Sequence, residues 1–535
     1  MAAPHQSSAT PPTRVTLRKS PDPFFRQYDL LLNLLYATLG FALATPTIAS
    51  PTPPLPPMPT FTSDWDSLKR YRCPEWFRDA KFGIWSHWGP QAVPEGGDWY
   101  ARNMYVQGHA AHELHLRKYG HPSQIGYKDI IPLWKAENFD AAHADRLMRL
   151  YKAAGARYFV SMGVHHDNFD LWNSKHHRWN AVNMGPKKDI VGLWAEAARQ
   201  HELRFGVSEH LERAYSWFNT NKGADKEGPL AGVPYDGNDP KYADLYFPPH
   251  DDTRYVYPAN PPEWWMHQWR DRINDLVDTY QPDLLYTDGG IPFGEIGRSV
   301  VANLYNNTIR RHGRNEGVYT LKQMDNHGDY VPGVGVLDME RGVLPKIEEL
   351  PWQTDTSIGD WFYNPGWKYR PVTWTIHMLV DVVSKNGNLL LNVVQRADGS
   401  IDPEAEKMLN EMAAWMDVHG EAIHGTRPWR VYGEGGTHAE GGHFKEDFAY
   451  TSADIRFTTK GDTLYAIAMA VPVDGKLRIK SLAASAGKIT TLSILGSAST
   501  PVWQQTPDAL EVTLPANLPS PHTVALKIHG PAVRP

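Results

Sequence analysis

Between Trp76 and Gly425, short apolar runs alternate with longer stretches in which apolar residues recur every three or four positions. The first pattern predicts buried strands and the second amphipathic helices. Strands are expected at Lys81–Trp88, Tyr158–His166, Leu203–Ser208, Leu284–Thr287, Gly317–Leu321 and Val334–Met339. Between them, Asp140 is placed to cap a helix that carries Ala144, Leu147, Tyr151 and Ala154 on one face and stops at Gly155, and Asp189 opens another through Trp194 and Ala198. A third helix shows Trp265, Trp269, Ile273, Leu276, Val277 and Tyr280 at helical spacing, and Pro282 stops it.

Repeated βα units imply a parallel sheet, and at this length a (β/α)8-like barrel is the simplest closure; an open doubly wound sheet is the alternative. No Gly-x-Gly-x-x-Gly loop opens a helix and no phosphate-binding loop is present, which removes support for nucleotide folds. Residues 219–262, rich in Pro, Gly, Asp and Tyr, exceed an ordinary connection and read as an insertion over the active face. From Trp429 the texture becomes short strands with turn residues between, at 463–469, 477–479, 489–495, 510–514 and 524–528, which predicts a C-terminal β-sandwich. The expected organisation is therefore an N-terminal segment over 1–60, an α/β catalytic barrel over 61–428 and a sandwich over 429–535.

Charge and targeting narrow the function. A net charge of −6 leaves no basic patch for nucleic acid. Twenty Trp and 25 Tyr make a large aromatic core, and rings of this kind also suit the faces of sugars. The single cysteine, Cys73, rules out an intrachain disulfide and reads as a small buried hydrophobe. Arg14, Arg18, Lys19 and Arg26 precede an apolar run from Leu30 to Leu43, then Ala42-Leu43-Ala44 and a Pro-rich stretch from Thr45 to Pro59. This is the order of a cleavable export signal, too short for stable membrane insertion, so a secreted protein is expected; translation from Met58 would instead leave it intracellular. Asn306-Asn307-Thr308 is a single glycosylation sequon. Oligomeric state has no signature in the sequence.

The candidate chemistry collects at strand ends, which in an α/β barrel form the catalytic face. His87 and Trp88 end one strand and are followed by Asp98-Trp99-Tyr100; His165-His166-Asp167 ends the next, Glu209-His210 the third, and Tyr286-Thr287-Asp288 the fourth. Gly289 and Gly290 are expected to admit substrate close to the backbone. As a strand-end aspartate, Asp288 suits either catalysis or the capping of a turn. Because adjacent strand residues point to opposite faces, His165 and His166 are not expected to share a metal, and hydrogen bonding to sugar hydroxyls fits them better. Glycoside cleavage needs a second carboxyl group. Alternation along Val336-Leu337-Asp338-Met339-Glu340 puts Asp338 and Glu340 on one face, and Glu340, nearer the strand end, is the preferred candidate, with Glu348, Glu349 and Asp355 as competitors.

Gly83-Ile84-Trp85-Ser86-His87-Trp88-Gly89, Asp98-Trp99-Tyr100, His165-His166-Asp167-Asn168-Phe169, Thr287-Asp288-Gly289, Gly387-Asn388-Leu389-Leu390-Leu391-Asn392-Val393 and Gly420 to Trp429 resemble, in order, the motifs of the α-L-fucosidases of glycoside hydrolase family 29. The resemblance runs from about residue 70 to 430. It implies an irregular (β/α)8-like barrel followed by a β-sandwich, and a retaining exo-hydrolase that removes terminal α-L-fucose from fucosylated oligosaccharides or glycoconjugates without cofactor or metal. By position, Asp288 matches the nucleophile, and His87, Trp99, His165 and His166 match residues that bind the fucose hydroxyls and ring; His210 and Tyr286 join them as substrate-binding candidates. Asp98 stands where the family usually has Glu, Glu340 is the best match to the acid/base, and Gln353 stands where some relatives have a carboxylate. Alternatives are a glycosidase of this scaffold acting on a related sugar such as galactose, or a non-catalytic sugar-binding protein.

Overall fold

Helices begin and end where the sequence supplies partners for otherwise unpaired backbone groups. Asp140 Oδ1 accepts the His143 N–H at 2.8 Å at the start of α1 (Ala141–Ala153), and Asp189 Oδ1 accepts that of Gly192 at 2.8 Å at the start of α2 (Ile190–Gln200). Each such cap contributes about 1 kcal/mol. Helix α3 (Glu263–Tyr280) follows Pro262 and ends on Gln281, whose φ of 46° turns the chain into Pro282. The computed structural model describes residues 60–534, so the export-signal pattern and the Pro-rich stretch lie outside the described residues.

Eight parallel strands, β1 (Phe82–Ser86), β2 (Tyr158–Val164), β3 (Arg204–Glu209), β4 (Leu284–Thr287), β5 (Val318–Leu321), β6 (Val336–Asp338), β7 (Trp352–Ser357) and β8 (Gly387–Asn392), pair in chain order, and β8 pairs with β1 to close a barrel. This is the expected fold class. Helices α1, α2, α3, α4 (Glu295–His312), α5 (Val372–Ser384) and α6 (Pro403–His419) lie between or after the strands, but loops alone join β5 to β6 and β6 to β7. Strand β7, Trp-Gln-Thr-Asp-Thr-Ser, has no apolar run, yet all six residues are buried. Its polar side chains are satisfied on both faces: Tyr158 donates to Gln353 Oε1 at 2.8 Å and Gln353 Nε2 to Asp338 Oδ1 at 2.8 Å in the barrel interior, while Thr354 donates to the Met339 and Gly342 carbonyls at 2.7 Å. Gly83 leaves room for that tyrosine, since a Cβ there would lie 2.3 Å from its ring.

The chain then forms two antiparallel sheets. Strands β9 (Arg427–Glu434), β10 (Ile455–Lys460), β11 (Thr463–Ala468), β13 (Thr491–Ile494) and β16 (Val524–His529) make one, in the order β13-β16-β11-β10-β9. Strands β12 (Lys476–Ile479), β14 (Val502–Gln505) and β15 (Leu510–Thr513) make the other, in the order β12-β15-β14. Phe457, Leu464, Leu477, Ile479, Val512 and Leu526 fill the space between the two. Arg456 of β10 reaches back to the barrel, where its Nε donates to Asp381 Oδ1 at 2.6 Å while Lys385 holds Oδ2 at 2.6 Å. With all three side chains buried, removing Asp381 would strand both cations, at a cost of roughly 3–5 kcal/mol.

The sequon asparagine, Asn306, lies within α4, with its amide bonded both ways to the Phe61 backbone at 2.7 and 2.8 Å, and Thr308 is fully buried. Among the described residues no helix is long and apolar enough to cross a membrane.

Candidate active site

The C-terminal ends of the barrel strands surround a cavity of about 380 Å³, within the ~300–1,000 Å³ typical of small-molecule sites. His87, Asp98, Trp99, His165, His166, His210, Tyr286, Asp288 and Glu340 all line it, so the preferred catalytic and substrate-binding candidates meet in one place. They share it with Trp85, Arg213, Lys322, Asp355, Trp361 and others.

Asp288 is the most densely held group. Arg213 donates to its Oδ2 at 2.9 Å and to its main-chain carbonyl at 2.6 Å, Lys322 donates to Oδ1 at 2.8 Å, and ring nitrogens of His166 and His210 lie 3.5 Å from Oδ2. Burial favours the neutral acid, but the charges of Arg213 and Lys322 outweigh it and hold the carboxyl well below the ordinary carboxylate range. Glu340 goes the other way. It follows the end of β6, with 16% of its side chain exposed, and accepts from Lys322 at 2.7 Å. Burial raises its pKa, Lys322 pulls it back, and Asp288 and Asp355 push it up again, leaving it above the usual value. Lys322 thus bridges two carboxyl groups of opposite tendency. Burial would discharge it, but Asp288, Asp355 and Glu340 keep it well above an ordinary lysine and so charged.

The other carboxyl candidates separate by height and position. Asp338 lies in the barrel floor, fully buried, where burial and its neighbour Asp355 raise it well above its usual pKa. Asp355 lies a layer higher, accepts the Tyr286 hydroxyl at 2.9 Å and is 3.7 Å from Lys322. Glu348 and Glu349 do not line the cavity. Gln353, bonded to Asp338 and Tyr158, belongs to the floor.

Two expectations are corrected. His165 and His166 do not face apart: β2 ends at Val164, strand alternation ends with it, and both rings enter the cavity with centroids 4.4 Å apart. Asn168, at φ 61°, and the buried Arg272–Asp170 pair beneath it fix this turn; Arg272 donates to Asn168 Oδ1 at 2.6 Å. Nor do Gly289 and Gly290 serve substrate approach. A Cβ on either would lie 2.8 or 2.7 Å from the carbonyl oxygens of His327 and Asp329, so these glycines admit the chain segment that follows Lys322.

The histidines are neutral by burial: His87 and His165 lie well below the ordinary value, His210 is also lowered, and His166 comes down to about 3. His166 Nδ1 donates to the His210 carbonyl, leaving Nε2 as an acceptor in the cavity. Gln91 is oriented by accepting the Ala101 N–H at 3.0 Å and donates its amide to His165 Nδ1 at 2.9 Å, so His165 Nε2 carries the hydrogen. Beside it Asp98, 3.8 Å from that nitrogen, is pushed well up by burial and by Asp360. Adjacent donors and acceptors of this kind match the hydroxyl groups of a sugar. Trp85, beside His87, Tyr286 and Trp361 at centroid distances of 5.0, 4.8 and 5.4 Å, forms an apolar wall.

Among the described residues two sets could hold a metal ion: His87, His165 and His210, and His166, His210 and Asp288. Each contains only one of the adjacent histidines. In the second set Arg213 and Lys322 already neutralise the carboxylate, so a divalent cation would meet two positive charges.

Sequence reading missed Arg213 and Lys322. Lys322 had a signal, because it directly follows the apolar run Val318–Leu321 at a strand end; Arg213 lies in a turn where nothing local distinguishes it.

The alpha-L-fucosidase family model matches residues 55–421, and that of the alpha-L-fucosidase C-terminal domain matches residues 449–529. The chain is 29% identical over 477 residues to tissue alpha-L-fucosidase of Homo sapiens, covering 86% of this chain and 89% of that protein. It is 29% identical over 523 residues to tissue alpha-L-fucosidase of Bos taurus, covering 94% and 97%. Among solved structures, Thermotoga maritima alpha-fucosidase in complex with fucose superposes with a TM-score of 0.68 at 28% identity, covering 88% of this chain and 100% of that one. With one family model spanning most of the chain, and with a closed barrel followed by antiparallel sheets, the chain belongs to the α-L-fucosidases of glycoside hydrolase family 29.

Proposed function

We propose that this enzyme removes terminal α-L-fucose from fucosylated glycans by double displacement, with Asp288 as nucleophile and Glu340 as acid/base. The Lys322 bridge carries this reading. Its 2.8 and 2.7 Å contacts keep the bonded oxygens of Asp288 and Glu340 no more than 5.5 Å apart. Retaining enzymes place their carboxyl groups ~5–5.5 Å apart, whereas inverting ones leave ~6.5–9.5 Å for a water. The divergence of the two pKa values supports the same division of roles, an ionised group to attack and a protonated one to donate.

In the first step an Asp288 oxygen bonds to the anomeric carbon, the glycosidic C–O bond breaks, and its electron pair leaves on the oxygen that takes the Glu340 proton. In the second, water attacks the same carbon, gives its proton to Glu340 and displaces Asp288. His87, His165, His166 and Asp98 are the hydroxyl partners, and Trp85 with Trp361 forms the apolar wall for the C5 methyl. No step calls for a cofactor. The basic and apolar pattern before Ala44 supports export.

Proton NMR of an aryl α-L-fucoside digest should show the α anomer of fucose first, and an aryl β-D-galactoside should be turned over far more slowly. Early β-fucose would contradict a nucleophilic Asp288, and preference for the galactoside would favour the related-sugar reading.

The pH dependence follows from Lys322, which lowers both carboxyl groups. Removing its charge raises both pKa values. The acid limb of the kcat/KM profile, set by ionisation of Asp288, and the alkaline limb, set by loss of the Glu340 proton, should therefore both move to higher pH in Lys322→Met. Unmoved limbs in that variant would mean that the lysine does not set the charge of either group.

A further inference from the structure

The connection between β9 and β10, residues 435–454, joins neighbouring antiparallel strands yet greatly exceeds the ~2–5 residues of an ordinary hairpin loop. Most of it, up to residue 448, lies between the two family-model matches. It leaves the sandwich and returns to the barrel mouth, where it pairs with the turn carrying Glu340. The Glu340 N–H donates to His443 Nδ1 at 3.0 Å, the Phe444 N–H donates to the Glu340 carbonyl at 2.9 Å, and the Gly442 N–H donates to Val343 at 3.0 Å. A Cβ on Gly342 would lie 2.0 Å from the Gly442 carbonyl oxygen, so the close approach needs that glycine. Glu446, buried, anchors the far side: it accepts from Thr356 at 2.6 Å, Arg341 at 3.3 Å and Arg370 at 3.1 Å. Glu340 therefore has its main chain gripped on both sides by this loop.

Phe444 itself points the other way. The residue is 61% exposed on the rim of the active-site cavity, and its φ of 59° is a conformation that a bulky side chain adopts at a cost. A general acid must come within ~2.6–3.2 Å of the departing oxygen, so whatever flanks the acid on the solvent side meets the leaving group.

We propose that the β9–β10 loop is the leaving-group side of the active site. His443 is a positioning residue that sets Glu340, and Phe444 is a platform for a leaving pyranose, whose axial C–H groups offer an apolar face. This rests on the acid/base assignment of Glu340.

The test uses the full chain with three fucosides: nitrophenyl, methyl, and a disaccharide with a pyranose acceptor. In His443→Ala, misplacing the acid should lower kcat on the methyl fucoside about tenfold more than on the nitrophenyl fucoside, and His443→Asn, whose side-chain oxygen can accept the Glu340 N–H, should restore most of it. Phe444→Ala should lower kcat/KM for the disaccharide about fivefold more than for the methyl fucoside, chiefly through KM. Absence of either contrast overturns the proposal; if His443→Ala does not fold, His443→Asn with wild-type-like kcat ratios and the Phe444→Ala contrast decide. Glu340→Ala run alongside separates the two levels. If it shows leaving-group dependence and His443→Ala does not, the loop proposal alone fails; if it shows none, the acid/base assignment fails and takes the proposal with it.

Discussion

Asp288→Ala should abolish turnover of an aryl α-L-fucoside, by roughly 10⁴-fold or more, the scale of losing a group that forms the covalent intermediate. No neighbour can replace it. Asp355 is committed to the Tyr286 hydroxyl, and Glu340 is held above its ordinary pKa on the far side of Lys322. The barrel should survive, because its core is packed by Ile84, Val160, Leu285 and Leu390 and their neighbours. Arg213 nevertheless loses its carboxylate partner, so the melting temperature should fall while the far-ultraviolet circular dichroism is retained. Azide supplied to this variant should attack the fucoside directly, with one inversion, and yield β-fucosyl azide. A folded Asp288→Ala enzyme retaining a tenth of the parent rate would remove Asp288 from the nucleophile role.

Glu340→Ala should show a loss that depends on the leaving group. General acid–base catalysis typically contributes about 10²–10⁴-fold. Natural fucosides, which depart as alkoxides, should suffer most of that factor, whereas a nitrophenyl fucoside, whose phenolate needs little protonation, should lose much less in the first step. Azide should then restore turnover on the activated substrate, because it attacks the covalent intermediate without a general base. Two inversions in sequence give α-fucosyl azide, the opposite anomer from the Asp288 variant. Equal losses on both substrate types, with no response to azide, would make Glu340 structural and move the search to Asp355.

Much of the site was legible because barrel chemistry sits at strand ends, and strand ends can be read from hydrophobic runs. Leu284–Thr287 ends on Asp288, and Tyr158–Val164 ends on the histidine pair. Strand β7 was not legible, since its buried polar side chains are satisfied by partners distant in sequence, such as Tyr158, Tyr286 and Glu446, and give no apolar signal. The close neighbours of Asp288 were only partly so. Its charge depends on Arg213, from the turn after β3, and on Lys322, from the end of β5, which closure of the barrel brings to one carboxylate.

The amino-acid sequence by itself determined the alternation of strands and helices, the change to short strands after residue 429 and the residue types of the candidate site, because each depends on local periodicity or on an ordered set of motifs. Only the tertiary structure decided which face each side chain takes where a strand stops, as at His165 and His166, and which backbone the glycines after Asp288 admit. It also decided the opposite pKa shifts of two carboxyl groups 52 residues apart in the chain, because a pKa is set by distances through space, and these depend on the closure of the barrel and the return of the β9–β10 loop to its mouth.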